Sequence, residues 1–143
     1  MPNTTQPVEE GLFVWPSSCD DARLIVSRCE KCGDLSFPRL VRCKNPSCTH
    51  ELTVEAYLRG TGRLVSYTVV HFPPPPPFVP ADPFTPFGIG LVEFPEGIAI
   101  LGRIQNSPGK IRLNGSARLV LSSLYNKADG TTVMGWAFAL EEE

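Results

Sequence analysis

The sequence predicts a mainly β protein in which a small cysteine-rich ribbon precedes a five-stranded barrel. Three observations carry that expectation. Four of the five cysteines fall within positions 29–48, short β-rich runs separated by turn residues fill the remainder, and no segment shows a convincing helical period. With 143 residues, 42% hydrophobic and 20% charged, the chain suits one compact core and a small appendage better than two ordinary domains.

Residues 1–22 mix Pro, Ser and acids with one aromatic cluster, Phe13, Val14 and Trp15. They are expected to form an irregular arm or a short docking helix. From Arg23 a run of strand-forming residues delivers Cys29, and Gly33 then permits the tight turn that folds a second strand, over 35–38, back on the first. Two residues separate Cys29 from Cys32, ten separate Cys32 from Cys43, and four separate Cys43 from Cys48. Such knuckles can set four sulfurs at about 2.3 Å from one tetrahedral zinc ion. The reading for 23–50 is a rubredoxin-like zinc ribbon with Cys29, Cys32, Cys43 and Cys48 as ligands. Four thiolates close the shell and leave no position for water, so the expected role of Zn²⁺ is structural. His50 is near enough to Cys48 to replace a sulfur, and free loop cysteines are the plainer alternative. Cys19 is then the spare.

Residues 51–143 read as the barrel. The β-rich runs are 52–58, 62–72, 87–94, 98–104, 117–124 and 132–140. Pro95-Glu96-Gly97 and Asp129-Gly130 are hairpin signals, and Ser107-Pro108-Gly109-Lys110 is a loop signal. Gly60 and Gly62 fall where a long first strand would bend around a barrel corner. This pattern favours a five-stranded barrel of the oligonucleotide/oligosaccharide-binding type, the OB-fold. Its first two strands are joined by a loop, 71–87, which holds eight of the fifteen prolines and four of the eight phenylalanines, Phe72, Phe78, Phe84 and Phe87. Five consecutive prolines from Pro73 predict an extended polyproline II stretch. Its aromatics either cap the open end of the barrel or anchor a partner protein or the acyl end of a ligand.

A net charge of -2 and a pI near 5.7 argue against broad capture of nucleic acid or an anionic membrane. Within 28–44, however, Arg28, Lys31, Arg39, Arg42 and Lys44 face only Glu30 and Asp34. That segment is either a solvated surface or a contact for the phosphates of a cofactor. No stretch approaches the roughly 20 apolar residues that span a bilayer, and the start lacks signal-peptide regions, so a soluble cytoplasmic protein is expected. Neither histidine lies in a recognisable motif, and no Gly-x-Ser-x-Gly or phosphate-cradling loop occurs. No catalytic residue is assigned.

Together Arg28-Cys29-Glu30-Lys31-Cys32-Gly33, Phe37-Pro38-Arg39, the pair Cys43 and Cys48, and residues 60–70, from Gly60 through Thr61-Gly62-Arg63 to Val70, carry a resemblance. The chain is similar, over roughly 23–140, to the acyl-CoA-associated zinc-ribbon and OB-fold family. The later Pro86-Phe87-Gly88-Ile89-Gly90-Leu91-Val92 stretch, Glu96-Gly97 and Asn114-Gly115 belong to the same likeness. Two features depart from the family pattern: the second knuckle is longer than Cys-Pro-x-Cys, and the proline run is unusually long. The resemblance implies a non-catalytic subunit that docks on a thiolase-like (or hydratase-fold) catalytic subunit in a hetero-oligomer. It would help form or close an acyl-CoA site, with the basic residues of the ribbon and the four loop phenylalanines contacting coenzyme A or the partner. Two rivals stand beside it, a module for single-stranded nucleic acid and a stand-alone acyl-CoA binder.

Overall fold

The structure, a computed structural model, describes residues 5–9, 11–15, 21–48, 52–73, 84–127 and 129–141. Among the described residues nine strands form two sheets: β1 (Thr5–Pro7), β2 (Leu24–Cys29), β3 (Leu35–Ser36), β4 (Thr53–Leu58), β5 (Thr61–Val70), β6 (Phe87–Glu93), β7 (Ala99–Ile104), β8 (Ser116–Asn126) and β9 (Thr132–Leu140). A 3-10 turn, Pro108–Lys110, follows β7. None of the described helices is long and apolar enough to cross a membrane.

The larger sheet closes on itself. β5, β6 and β7 form an antiparallel meander, β7 runs parallel to β9, β9 pairs with β8, and β8 returns to β5 through Thr61↔Arg118 and Arg63↔Ser116. This closed circuit of five strands is the OB-fold barrel that the spacing of the β-rich runs predicts. Each strand contributes a buried apolar side chain to the interior: Leu64, Val92, Ile104, Leu119 and Phe138. The barrel is so narrow that two inward positions of β6, Gly88 and Gly90, must lack a side chain. A Cβ on Gly90 would lie 2.5 Å from Leu64 Cδ1, and one on Gly88 2.4 Å from Ile111 Cδ1. The Asp129-Gly130 signal is borne out as the turn between β8 and β9, where Thr131 N–H donates to Asp129 Oδ1 at 2.9 Å.

The smaller sheet has the order β3-β2-β4. Its placement of β4 differs from expectation. The run 52–58 reads as barrel, yet Thr53–Leu58 pairs along its whole length with β2, from Cys29↔Thr53 to Leu24↔Leu58. Alternation alone does not say which sheet a strand joins, because any edge offers the same hydrogen bonds. The two glycines likewise act differently from a bend within one strand. Gly60, at φ +99, breaks the chain between β4 and β5, while Gly62 lets β5 press against β6, since a Cβ there would sit 2.6 Å from Glu93 O.

Nor is the described part of the arm a helix. Thr5, Gln6 and Pro7 run parallel to Thr132, Val133 and Met134, and Val8 N–H donates to Met134 O at 2.7 Å. Further on, Phe13 bridges to Leu24 and is buried, meeting Trp15 edge-on at 6.3 Å. The edges of β9 and β2 satisfy this backbone, which no local helix does. Leu24, Val26 and Leu58 of the small sheet share one apolar core with the barrel residues and Phe13. Phe37, just past β3, packs edge-on against Trp136 of β9 with ring centroids 5.3 Å apart. These contacts fix the small sheet, and thus the cysteines at its end, against the barrel.

Candidate metal centre

The four predicted ligands converge. Cys29 is the last residue of β2, so the strand pairing sets its position, and it is buried. The chain then turns on itself: Gly33 N–H donates to Cys29 O at 2.8 Å and Cys29 N–H to Asp34 O at 3.0 Å. Gly33 takes φ +78, a left-handed conformation that side chains resist. This turn carries Cys32 back over Cys29.

The second knuckle is held differently, and Asn45 explains its greater length. Asn45 N–H donates to Cys43 Sγ at 3.4 Å, its Oδ1 accepts from Ser47 N–H at 2.9 Å, and its carbonyl accepts from Cys48 N–H at 3.0 Å. Pro46 supplies the fixed φ of the turn that Asn45 opens. The signal was present in Asn45-Pro46-Ser47 but is invisible to a search for Cys-x2-Cys. The loop is pinned to the sheet by Thr53, whose N–H and hydroxyl both donate to Val41 O and whose hydroxyl also donates to Leu40 O. Leu40 N–H donates to Ser27 Oγ at 3.1 Å.

The four sulfurs all lie within 4.8 Å of one another, with Cys29 Sγ to Cys48 Sγ at 3.7 Å and Cys32 Sγ to Cys43 Sγ at 3.4 Å. A tetrahedron with metal–sulfur bonds of about 2.3 Å has edges of roughly 3.8 Å, so the observed spacing fits one ion. No disulfide joins them. Backbone N–H groups of Cys32 and Lys31 pull the Cys29 thiol down to about 7, against the opposing effect of burial. At Cys43 the Asn45 N–H acts in the same direction, but burial and the neighbouring sulfurs of Cys32, Cys29 and Cys48 outweigh it and push the thiol up to about 12. Four crowded sulfurs cannot all carry charge unless a cation joins them, which a divalent metal supplies. Among the described residues this is the cluster of metal-ligating groups that the structure assembles.

Arg28, Lys31, Arg39, Arg42 and Lys44 are exposed on the small sheet and its loops. Their positive field is weaker than the local sequence suggests, because Glu55 of β4 pairs with Arg39 at 3.3 Å and Asp34 with Lys44 at 2.5 Å. Glu55 is distant in sequence, so a local charge count misses it. Phe72 is 80% exposed, whereas Phe84 and Phe87 are half-buried and meet edge-on at 6.2 Å on the barrel side. Phe78, Cys19, His50 and the rest of the proline run after Pro73 lie outside the described residues. An open cleft of about 380 Å³ lies between the arm and the small sheet, lined by Phe13, Trp15, Ile25 and Tyr57 among others.

Residues 55–122 match the family described as the C-terminal OB-fold domain of ChsH2. The chain is 30% identical over 112 residues to the benzoylsuccinyl-CoA thiolase subunit BbsA of Thauera aromatica, covering 78% of this chain and 72% of that one. It is 27% identical over 135 residues to a DUF35 domain-containing scaffold protein of Methanothermobacter thermautotrophicus, with 90% and 95% covered. Among solved structures it resembles a chain of the Ltp2-ChsH2(DUF35) aldolase, at a TM-score of 0.60 and 28% identity over 82% of this chain and 84% of that one. With the ribbon knuckles, the closed barrel and these likenesses in agreement, the chain belongs to the DUF35 family of OB-fold proteins that includes BbsA and the C-terminal domain of ChsH2.

Proposed function

We propose that this protein is an accessory subunit of an acyl-CoA enzyme, that its partner is a thiolase-like catalytic subunit, and that Cys29, Cys32, Cys43 and Cys48 hold one structural zinc ion. The observation that carries the reading is the likeness, over most of both chains, to the thiolase subunit BbsA and to a chain of the Ltp2-ChsH2(DUF35) aldolase. The zinc assignment rests on the four-sulfur geometry, since a closed thiolate shell suits zinc and leaves no coordination position for a substrate. When bound, the ion would supply cross-linking of the two knuckles. Everything else in the role falls to the chain: it positions surfaces, while the partner provides the nucleophile and the acid–base groups. The basic residues of the small sheet and the exposed Phe72 are offered to coenzyme A or to the partner at that interface.

The test is copurification of the full chain with a thiolase-fold subunit, followed by thiolysis or condensation assays with and without this chain. A stable complex whose activity falls when this chain is removed is the expected result; no complex and no change in activity would refute the reading. Calorimetry with coenzyme A on the chain alone separates a stand-alone binder, which would bind tightly without a partner. Salt-dependent binding of single-stranded DNA would instead support the nucleic-acid module. One gram-atom of zinc per mole is expected by elemental analysis.

A further inference from the structure

The outer face of the β5–β6–β7 meander carries an unusual set of side chains. Residues directly opposite in antiparallel strands share a face, so Val70 stands beside Phe87, Thr68 beside Ile89 and Arg103, and Ser66 beside Leu91 and Leu101. Val92, Ile100 and Ile104, at the alternate positions, are buried in the core, which directs the first set outward. Four of these outward residues are large and apolar. Phe87, Ile89 and Leu91 are half-buried and Leu101 is 60% exposed.

Arg103 sits within this apolar surface. Its guanidinium carbon lies 4.3 Å from the centroid of the Phe87 ring, which Phe84 in turn braces edge-on. Partial burial holds its pKa below the ordinary arginine value. Among the described residues no carboxylate pairs with it. The acid on the same face of β6, Glu93, lies at the far end of the strand and is 3.8 Å from Arg63, which also donates to Asn114 Oδ1 at 2.7 Å. A guanidinium held over a ring by cation–π attraction still has N–H donors for two parallel bonds to an oxyanion. A half-buried cation set over Phe87 and beside Ile89, with no counter-charge among the described residues, matches one half of an interface anchor. The complementary half is a carboxylate set in an apolar surface.

We propose that the outer face of β5–β6–β7 is the docking surface for the thiolase-like catalytic subunit, and that Arg103, stacked on Phe87, receives a carboxylate of that partner. This rests on the accessory-subunit reading above. It adds which face docks and what chemistry the partner presents.

The test uses the full chain and the purified thiolase-fold subunit with which the wild-type chain forms a complex. R103A should weaken the association about tenfold and R103E more strongly, while R103K recovers part of the loss because it keeps the charge but not the fork. Leu101→Asp should weaken it comparably, and zinc content and thermal melting of all four variants should stay as in the wild type. Oxidative footprinting of the wild-type chain with and without the partner gives a readout that needs no variant, with protection expected on β6 and β7. Unchanged binding by both R103E and Leu101→Asp, or protection confined to another face, overturns the docking proposal while leaving the accessory role intact. Absence of any wild-type complex overturns the accessory role and the docking proposal with it. An Arg103-dependent dimer of the chain alone in sedimentation would make the occupant a second copy. Arg103-dependent binding of coenzyme A to the chain alone would make the oxyanion a phosphate, and either result overturns the proposal.

Discussion

The cysteine loops and the barrel reach order by different means. The barrel is filled from all five strands, and its side chains Leu64, Leu119 and Phe138 are removed from water. Between β2 and β4, over 30–48, only Ser36 and Cys43 are buried, and the one strand there, β3, has two residues. A segment with so little buried apolar surface gains little from hydrophobic collapse, and its ordering depends on turns and on whatever joins four sulfurs. The comparison teaches that one chain can order a platform by buried area and a knuckle by turns and four converging sulfurs.

The sharpest way to break that contrast is to challenge the purified chain, carrying the zinc proposed for its four sulfurs, with a chelator. Structural zinc sites supply on the order of 10 kcal/mol, so chelation should expose Lys31, Arg39, Arg42 and Lys44 to trypsin while the β circular dichroism of the barrel persists. Collapse of the barrel signal under the same chelator would show that the two regions do not differ in this way. Acidification should act alike, because thiolate ligands must stay deprotonated and zinc release therefore rises as pH falls.

Phe138→Ala probes the other side. It should cost about 3–5 kcal/mol in urea denaturation, since it empties the centre of the barrel. Retention of stoichiometric zinc at temperatures where the variant is still folded would support independence of the two regions. Gly90→Ala is expected to cost about 1–3 kcal/mol by overpacking against Leu64 and Ile104, measured the same way. Asn45→Ala should cost about 0.5–1.5 kcal/mol, read as easier loss of zinc to a competing chelator with no change in barrel unfolding. Smallest is Arg39→Ala, whose ion pair with Glu55 is half exposed on both sides; a change of about 0–1 kcal/mol is expected.

Much of the candidate site was legible before the fold. Cys29, Cys32, Cys43 and Cys48 are close in sequence, and a metal shell imposes spacing that local reading can detect. Five barrel strands were equally legible, because period-two burial and Asp129-Gly130 or Pro95-Glu96-Gly97 turns are local signals. What was not legible involves partners far apart in the chain. The pairing of β1 with β9, the capture of β4 by β2, the Glu55 partner of Arg39 and the stack of Arg103 on Phe87 all join segments whose sequences do not mention one another.

By itself, then, the sequence determined that this protein would be β-rich, that its cysteines would gather as two knuckles, and that its turns would fall where glycine, proline and asparagine stand. Only the tertiary structure decided which edge each strand joined, how far the basic segment was neutralised, and that Arg103 would lie half-dry among apolar neighbours. The physical reason is one of range. Turn geometry and ligand spacing are set by bonds a few residues apart, whereas strand partnership and desolvation depend on which surfaces meet after the chain has closed.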